Sequence, residues 1–273
     1  MYDLIDECGE DLQKYGYKVK KMEKYGISVA TLRIENEEES EKHLLDEGEY
    51  FILNAPHLYD FGLDCHVYIS KLLSEKLAEF LKEFKLRKKD KVLIVGLGNP
   101  DINADRLGKE VFDNVKIDAF NKNNNIFKFC PNIYFSTGIE AVDMVEMIVK
   151  CMYIDYVIII DSLTTNAIER LGTSFQITTT GMTPGSGVTR FHRRIDSSSM
   201  GVPCISIGVP FMIFAADLNE KSPQELILSP KDIKENIEIA GQIIASTISE
   251  VLRWTTIYSY HLWLYWYYFS QSR

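Results

Sequence analysis

The 273-residue chain is poor in cysteine: Cys8, Cys65, Cys130, Cys151 and Cys204 are its five, and no two form a C-x-x-C pair. An odd, scattered set excludes a disulfide framework and a zinc knuckle. Reduced thiols in a reducing compartment are expected instead. Positive charge is also short, with 30 Lys and Arg against 39 Asp and Glu and a formal net charge of −9. A nucleic-acid backbone is therefore a poor partner for the chain as a whole. Basic residues gather only locally, at Lys20, Lys21 and Lys24 and at Arg190, Arg193 and Arg194. No run reaches the roughly 20 apolar residues that a spanning helix needs. Met1 is followed by Tyr2-Asp3-Leu4-Ile5-Asp6-Glu7, which lacks the apolar core of a secretory signal, so the cytoplasm is the expected location. No internal repeat is visible.

What is present has the balance of a globular α/β protein, 46% hydrophobic and 25% charged. Residues 27–34 alternate apolar and polar side chains, and residues 48–53 read as a return strand. The acidic stretch 35–41 between them reads as a turn, and residues 1–56 as a β-rich opening segment. Residues 68–84 have helical spacing, with Leu72, Leu73, Leu77, Phe80, Leu81 and Phe84 on one face. Val92-Leu93-Ile94-Val95 and Tyr156-Val157-Ile158-Ile159-Ile160 are short continuous apolar runs, typical of strands buried on both faces. Residues 174–177 and 204–207 predict two more strands. Helices are predicted over 106–115, 139–152 and 233–252. Strands alternating with helices imply a mainly parallel sheet covered on both faces, in one domain spanning 1–252. Residues 253–273 form a tail rich in Trp and Tyr, which reads as an idiosyncratic packed or loose tail, a membrane-interface contact or an oligomer contact.

Ligands of open α/β sheets gather beyond the carboxyl ends of the strands. Two acidic residues are expected there. Asp161 follows the apolar run 156–160, where partial desolvation would raise its pKa. It could equally cap the next turn through Ser162 and Thr164. Asp105 ends the glycine-rich turn that begins Gly96-Leu97-Gly98-Asn99-Pro100, and could equally cap the helix after it. Two carboxylates brought together push their pKa values apart. One can then donate a proton to a carbonyl while the other activates water. Such a dyad needs no metal, no cofactor and no Ser or Cys nucleophile.

Other uses of these glycines fit less well. A dinucleotide site wants a third glycine where Asp101 stands, and a phosphate-binding loop wants Gly-Lys-Ser/Thr. Gly-Leu-Gly-Asn-Pro resembles the opening of bacterial peptidyl-tRNA hydrolases, but their T-R-H-N histidine has no counterpart in Ala104-Asp105-Arg106-Leu107. A second loop, Thr180-Gly181-Met182-Thr183-Pro184-Gly185-Ser186-Gly187-Val188, offers backbone N–H groups for a carbonyl oxygen or an anion. Arg190, His192, Arg193 and Arg194 follow it and could hold acidic side chains of a substrate, or form a solvated charged turn.

Taken in order, several strings resemble the germination proteases of spore-forming bacteria, which are atypical aspartic endopeptidases. They are Gly96-Leu97-Gly98-Asn99, Asp105-Arg106-Leu107-Gly108, Thr137-Gly138-Ile139-Glu140, Ile160-Asp161-Ser162-Leu163 and Ile168-Glu169-Arg170. Thr180-Gly181, Pro184-Gly185-Ser186-Gly187-Val188, Gly201-Val202-Pro203 and Ile207-Gly208-Val209-Pro210 complete the set. The resemblance implies a three-layer α/β/α fold of the hydrogenase-maturation-protease and phosphorylase/hydrolase-like type. It implies cleavage of small acid-soluble spore proteins in the spore core, by a homo-oligomer, usually a tetramer, made as a zymogen. The family's two catalytic aspartates fall on Asp105 and Asp161. Gly98, Asn99, Thr180, Gly181, Gly185, Ser186, Gly187 and Arg193 are the expected substrate contacts. Thr183 stands where the family's second loop usually has His, and Ala104 where the first motif usually has Pro. A metal-sensing maturation protease of the same fold and a non-catalytic binding member are the alternative readings.

Overall fold

The computed structural model describes residues 18–43, 45–87, 89–116, 125–184, 193–219, 221–223 and 225–252. The chain begins there as an antiparallel meander of β1 (Lys18–Lys21), β2 (Ser28–Ile34) and β3 (Gly48–Asn54). The alternation in β2 sorts its side chains. Ala30, Leu32 and Ile34 join Tyr50 and Ile52 in a small cluster on one face, while Phe51 and Leu53 of β3 enter the main core on the other. The hairpin expected from the sequence is present, in register from Ser28 opposite Asn54 to Ile34 opposite Gly48. The acidic stretch between its strands is not a turn but a helix, α1 (Glu37–His43). Asn36 accepts a hydrogen bond from the Glu39 N–H at 3.0 Å, and the Glu39 carboxylate accepts one from the Glu35 N–H at 2.8 Å. Capping and three glutamates in the first turn hold it without an apolar face.

Next come α2 (Leu63–Glu83), β4 (Val92–Gly96), α3 (Leu107–Asn114), β5 (Ile126–Phe129), α4 (Tyr134–Thr137) and α5 (Ala141–Met152). They are followed by β6 (Tyr156–Thr165), β7 (Ser174–Thr178), α6 (Ser197–Met200), β8 (Cys204–Phe214), α7 (Ala215–Leu218), β9 (Ile227–Leu228) and α8 (Ile233–Leu252). The strands form one sheet in the order β1-β2-β3-β7-β8-β6-β4-β5, with β9 paired to β8. Ile94, Ile158, Ile160, Ile205 and Ile207 bury one face beneath α2, α3 and α8. Leu93, Val95, Val157 and Ile159 bury the other with Val142, Val145 and Val149 of α5. The result is the expected three-layer α/β/α arrangement.

Two features go beyond the sequence pattern. The segment β5-β4-β6-β8 is parallel, but β7 runs antiparallel to both β8 and β3, which makes the sheet mixed. Only one turn of 3-10 helix, Ile168–Arg170, links β6 to β7, which is too short for the crossover a parallel return requires. Second, β6 runs five residues past Ile160, and all ten of its residues are buried. It can do so because β8 continues beside it to Phe214, with a register shift opposite Pro210, which has no N–H to donate. Among the described residues no helix is long and apolar enough to cross a membrane. The aromatic tail, residues 253–273, lies outside the described residues, as do Gly185, Ser186, Gly187, Arg190 and His192.

Candidate active site

The site is built where β4 ends. Gly96 lies level with Ile160 of β6, and the Leu97 N–H donates to the Ile160 carbonyl at 2.8 Å, one bond beyond the ladder. The chain then reverses at Gly98, whose φ of 98° suits glycine. A Cβ there would stand 1.9 Å from the Asp105 carbonyl oxygen, so the returning turn lies directly on the Gly98 backbone. The turn closes through the Asp105 carboxylate, which accepts the Asn99 N–H at 2.8 Å. Gly96 and Gly108 also meet backbone to backbone: a Cβ on either would come within 2.2 Å of a carbonyl oxygen of the other segment. The glycines of the first motif thus let the start of α3 press against the end of β4, which carries Asp105 to the carboxyl edge of the sheet.

Neither aspartate is the simple cap that the sequence also allowed. The residue before α3 is Arg106, which makes no capping bond, and Asp105 sits in the preceding 3-10 turn Asn103–Asp105. Asp161 is not at a strand end but inside β6, 4% exposed, with its Oδ1 accepting the Ser162 N–H at 2.9 Å. It is nonetheless the first residue of β6 beyond the level of β4, so β4 no longer pairs with the strand beside it. Ser162 points to the opposite face and accepts the Leu107 N–H at 3.4 Å. Two bonds, Leu97 to Ile160 and Leu107 to Ser162, therefore fasten the Asp105 turn to the strand on either side of Asp161. Burial pushes the Asp105 carboxyl up from 3.8 to about 6, against the opposing pull of the Asn99 N–H.

Alternation along β6 places Asp161 on the same face as Ile159, the face covered by α5. The second loop is rooted there as well. Met182 and Ile195 exchange backbone hydrogen bonds of 2.9 and 2.8 Å, and both pack in the same apolar layer as Ile159. Thr180 turns back to donate its N–H to the Thr178 hydroxyl at 3.2 Å, and Gly181 is buried against Ile195 and Asp196. Arg193, expected to meet a substrate, pairs with Asp143 and, at 3.6 Å, with Glu146, both on α5. Arg194 pairs with Asp46. Pairing Arg193 to α5 instead fixes the exit of the loop. Among the described residues the group of carboxylates close enough to share a cation is Glu49, Glu79 and Glu83, which includes neither aspartate of the site.

Sequence reasoning missed Gln176. It is buried on β7, level with Asp161 across Gly208 of β8, and so shares its face of the sheet. Its signal was hidden because the direction and register of β7 follow from pairing, not from the pattern of four residues. It also missed Ser162, whose hydroxyl joins the two motifs.

The site thus sets a half-buried carboxylate turn against the strand that carries a second carboxylate. The sequence profile of a peptidase family, Peptidase A25, described as germination protease, matches residues 5–223. The chain belongs to this germination protease family. It is 31% identical over 234 residues to the germination protease of Caldanaerobacter subterraneus subsp. tengcongensis, covering 81% of this chain and 71% of that one. It is 30% identical over 213 residues to the germination protease of Bacillus subtilis, covering 74% and 58%. For the Bacillus velezensis protein the values are 29% over 222 residues, 78% and 60%. The match to the two Bacillus proteins thus spans less than two thirds of their length. A [NiFe] hydrogenase maturation protease, HycI of Thermococcus kodakarensis, aligns over 65% of this chain and 98% of its own at 18% identity, with a TM-score of 0.40, a likeness too loose to bear on function.

Proposed function

We propose that the chain is an aspartate-dyad endopeptidase that starts the degradation of small acid-soluble spore proteins during germination. One observation carries the reading beyond family membership: the Asp105 turn is fastened to β6 on both sides of Asp161. In this reading Asp105, with its pKa raised by burial, holds the proton that is given to the scissile carbonyl. Asp161 is the partner carboxyl group that orients and activates the attacking water. The backbone at Gly98, Asn99, Thr180 and Gly181 lines the approach. A homo-oligomer in the spore core, tetrameric by likeness to the family, completes the reading.

The test is incubation of the purified protein with a small acid-soluble spore protein, followed by the masses of the fragments. Asp105→Asn and Asp161→Asn are each expected to lower the cleavage rate by at least about a thousandfold. Far-ultraviolet circular dichroism should stay unchanged. Retained cleavage in either folded variant would sink the reading.

A further inference from the structure

At the carboxyl end of β5, beside the Asp105 turn, lies a cavity of about 390 Å³. Its walls come from three segments. Pro100 follows Asn99, the residue whose N–H holds the Asp105 carboxylate. Lys109 and Phe112 come from α3, and Lys128, Phe129, Cys130 and Pro131 from β5 and its exit. Because β4, β5 and β6 are parallel, this exit opens on the same edge of the sheet as the two aspartates.

The two lysines suggest an acidic ligand, but their ammonium groups are already engaged. Lys128 donates to the Phe112 and Val115 carbonyls at the end of α3, at 2.5 and 2.6 Å. Lys109 pairs with Asp113, at 2.7 and 2.5 Å to its two oxygens. The Lys128 and Lys109 nitrogens flank the Phe112 ring, 4.6 and 5.8 Å from its centre. What the lysines offer the cavity is therefore their aliphatic stems, beside an aromatic ring, two prolines and a thiol. Pockets for small ligands run from about 300 to 1,000 Å³, and this one is at the small end. It holds a side chain or two, not the surface of a folded domain. The connections leaving β4 and β5 add exposed apolar residues to the same edge: Ile102, Tyr134 and Ile139, each about half exposed.

We propose that this cavity is a subsite for one large apolar side chain of the polypeptide substrate, of the size of Leu, Met or Phe, close to the bond cleaved. The assignment rests on the endopeptidase reading above. It makes Phe112 and Cys130 residues that determine specificity, and it would align the substrate backbone past Asn99 toward Asp105.

Cys130 lets the cavity be read directly. In a Cys8→Ala/Cys151→Ala protein it is the one half-buried thiol, since Cys65 and Cys204 are fully buried. Its alkylation by iodoacetamide, run above about pH 8 to reach the thiolate, is timed with hexapeptides that differ at one position only. Peptides carrying Phe or Leu there are expected to slow alkylation about tenfold, and those carrying Ser or Asp to leave it unchanged. Equal rates with all four overturn the proposal, and protection by the Asp peptide alone overturns it in favour of an acidic subsite. Cleavage of matched substrates by Cys130→Trp supplies the second reading. The preference for Phe over Ala at one position should fall about tenfold. An unchanged preference overturns the assignment. Because alkylation needs no turnover, protection without cleavage would sink the endopeptidase reading and leave the cavity only as a binding site for an apolar side chain. Cleavage without protection would do the reverse.

Discussion

Asp105 is a carboxyl group held where its charge is unwelcome. Its folded pKa, about 6, lies above the ordinary 3.8, so the neutral acid is the form the fold prefers. The stability this contributes is fully present below about pH 4 and is lost as pH rises through 6. By neutral pH the half-buried charge costs up to roughly 3 kcal/mol. Asp105→Asn should therefore melt higher than the parent at pH 7.5, and the gap should close as pH falls to 4. The side-chain oxygen of Asn can still accept the Asn99 N–H. Urea denaturation at the two pH values checks this, and a parent that is the more stable at pH 7.5 would contradict it. If the protonated acid is the working form, kcat/KM should also decline as pH rises through 6. Both aspartates were legible in the sequence, because an acidic residue after an apolar run or a glycine turn stands out. Their roles in the backbone were not. Asp105 closes its own turn instead of capping α3, and Ser162 supplies the acceptor at the start of that helix. The second of these bonds joins residues 55 positions apart in the chain, and nothing local encodes it.

At the scale of elements, the contact between the end of β4 and the start of α3 carries the site. Helix propensity alone says that Gly108→Ala should stabilise α3 by up to about 1 kcal/mol. The Leu97 carbonyl oxygen, 2.2 Å from where that methyl carbon would sit, says the opposite. We expect a loss of about 3 kcal/mol or more, measured by chemical denaturation, with cleavage falling faster than stability because Asp105 moves with the turn. The elements that sequence periodicity described well are those with one apolar face: α2, α5 and α8, and the hairpin of β2 and β3. It failed where pairing decides. Ser162 and Thr164 could be read as a turn, yet they are buried strand because β8 runs alongside. For α1 the sequence did hold a signal, Asn36 three residues before Glu39, but without an apolar stripe it passed as a polar turn.

The whole sheet is two halves with different habits. Parallel β5-β4-β6-β8 bears the aspartates and is covered by helices on both faces, while β1-β2-β3-β7 is antiparallel. Its outer strand β1, Lys18-Val19-Lys20-Lys21, carries the lysines that discourage edge-to-edge pairing. Hydrogen exchange followed by mass spectrometry should find the amides of β4, β6 and β8 the slowest, at least about tenfold slower than those of β1. Faster exchange in β6 than in β1 would refute that ranking. The alternating strand and helix pattern revealed the first half of this layout but not where the sheet changes direction, which depends on the short link between β6 and β7. The backbone contact at Gly96 and Gly108 has a further consequence for anyone who surveys the chain by saturation mutagenesis. If Asp105 and Asp161 form the proposed dyad, a growth-based screen would deplete these glycines as much as the two aspartates, and four depleted columns would look like four catalytic residues. Scoring the same library for soluble yield would split them, because the asparagine variants would survive that sieve and the alanine variants would not.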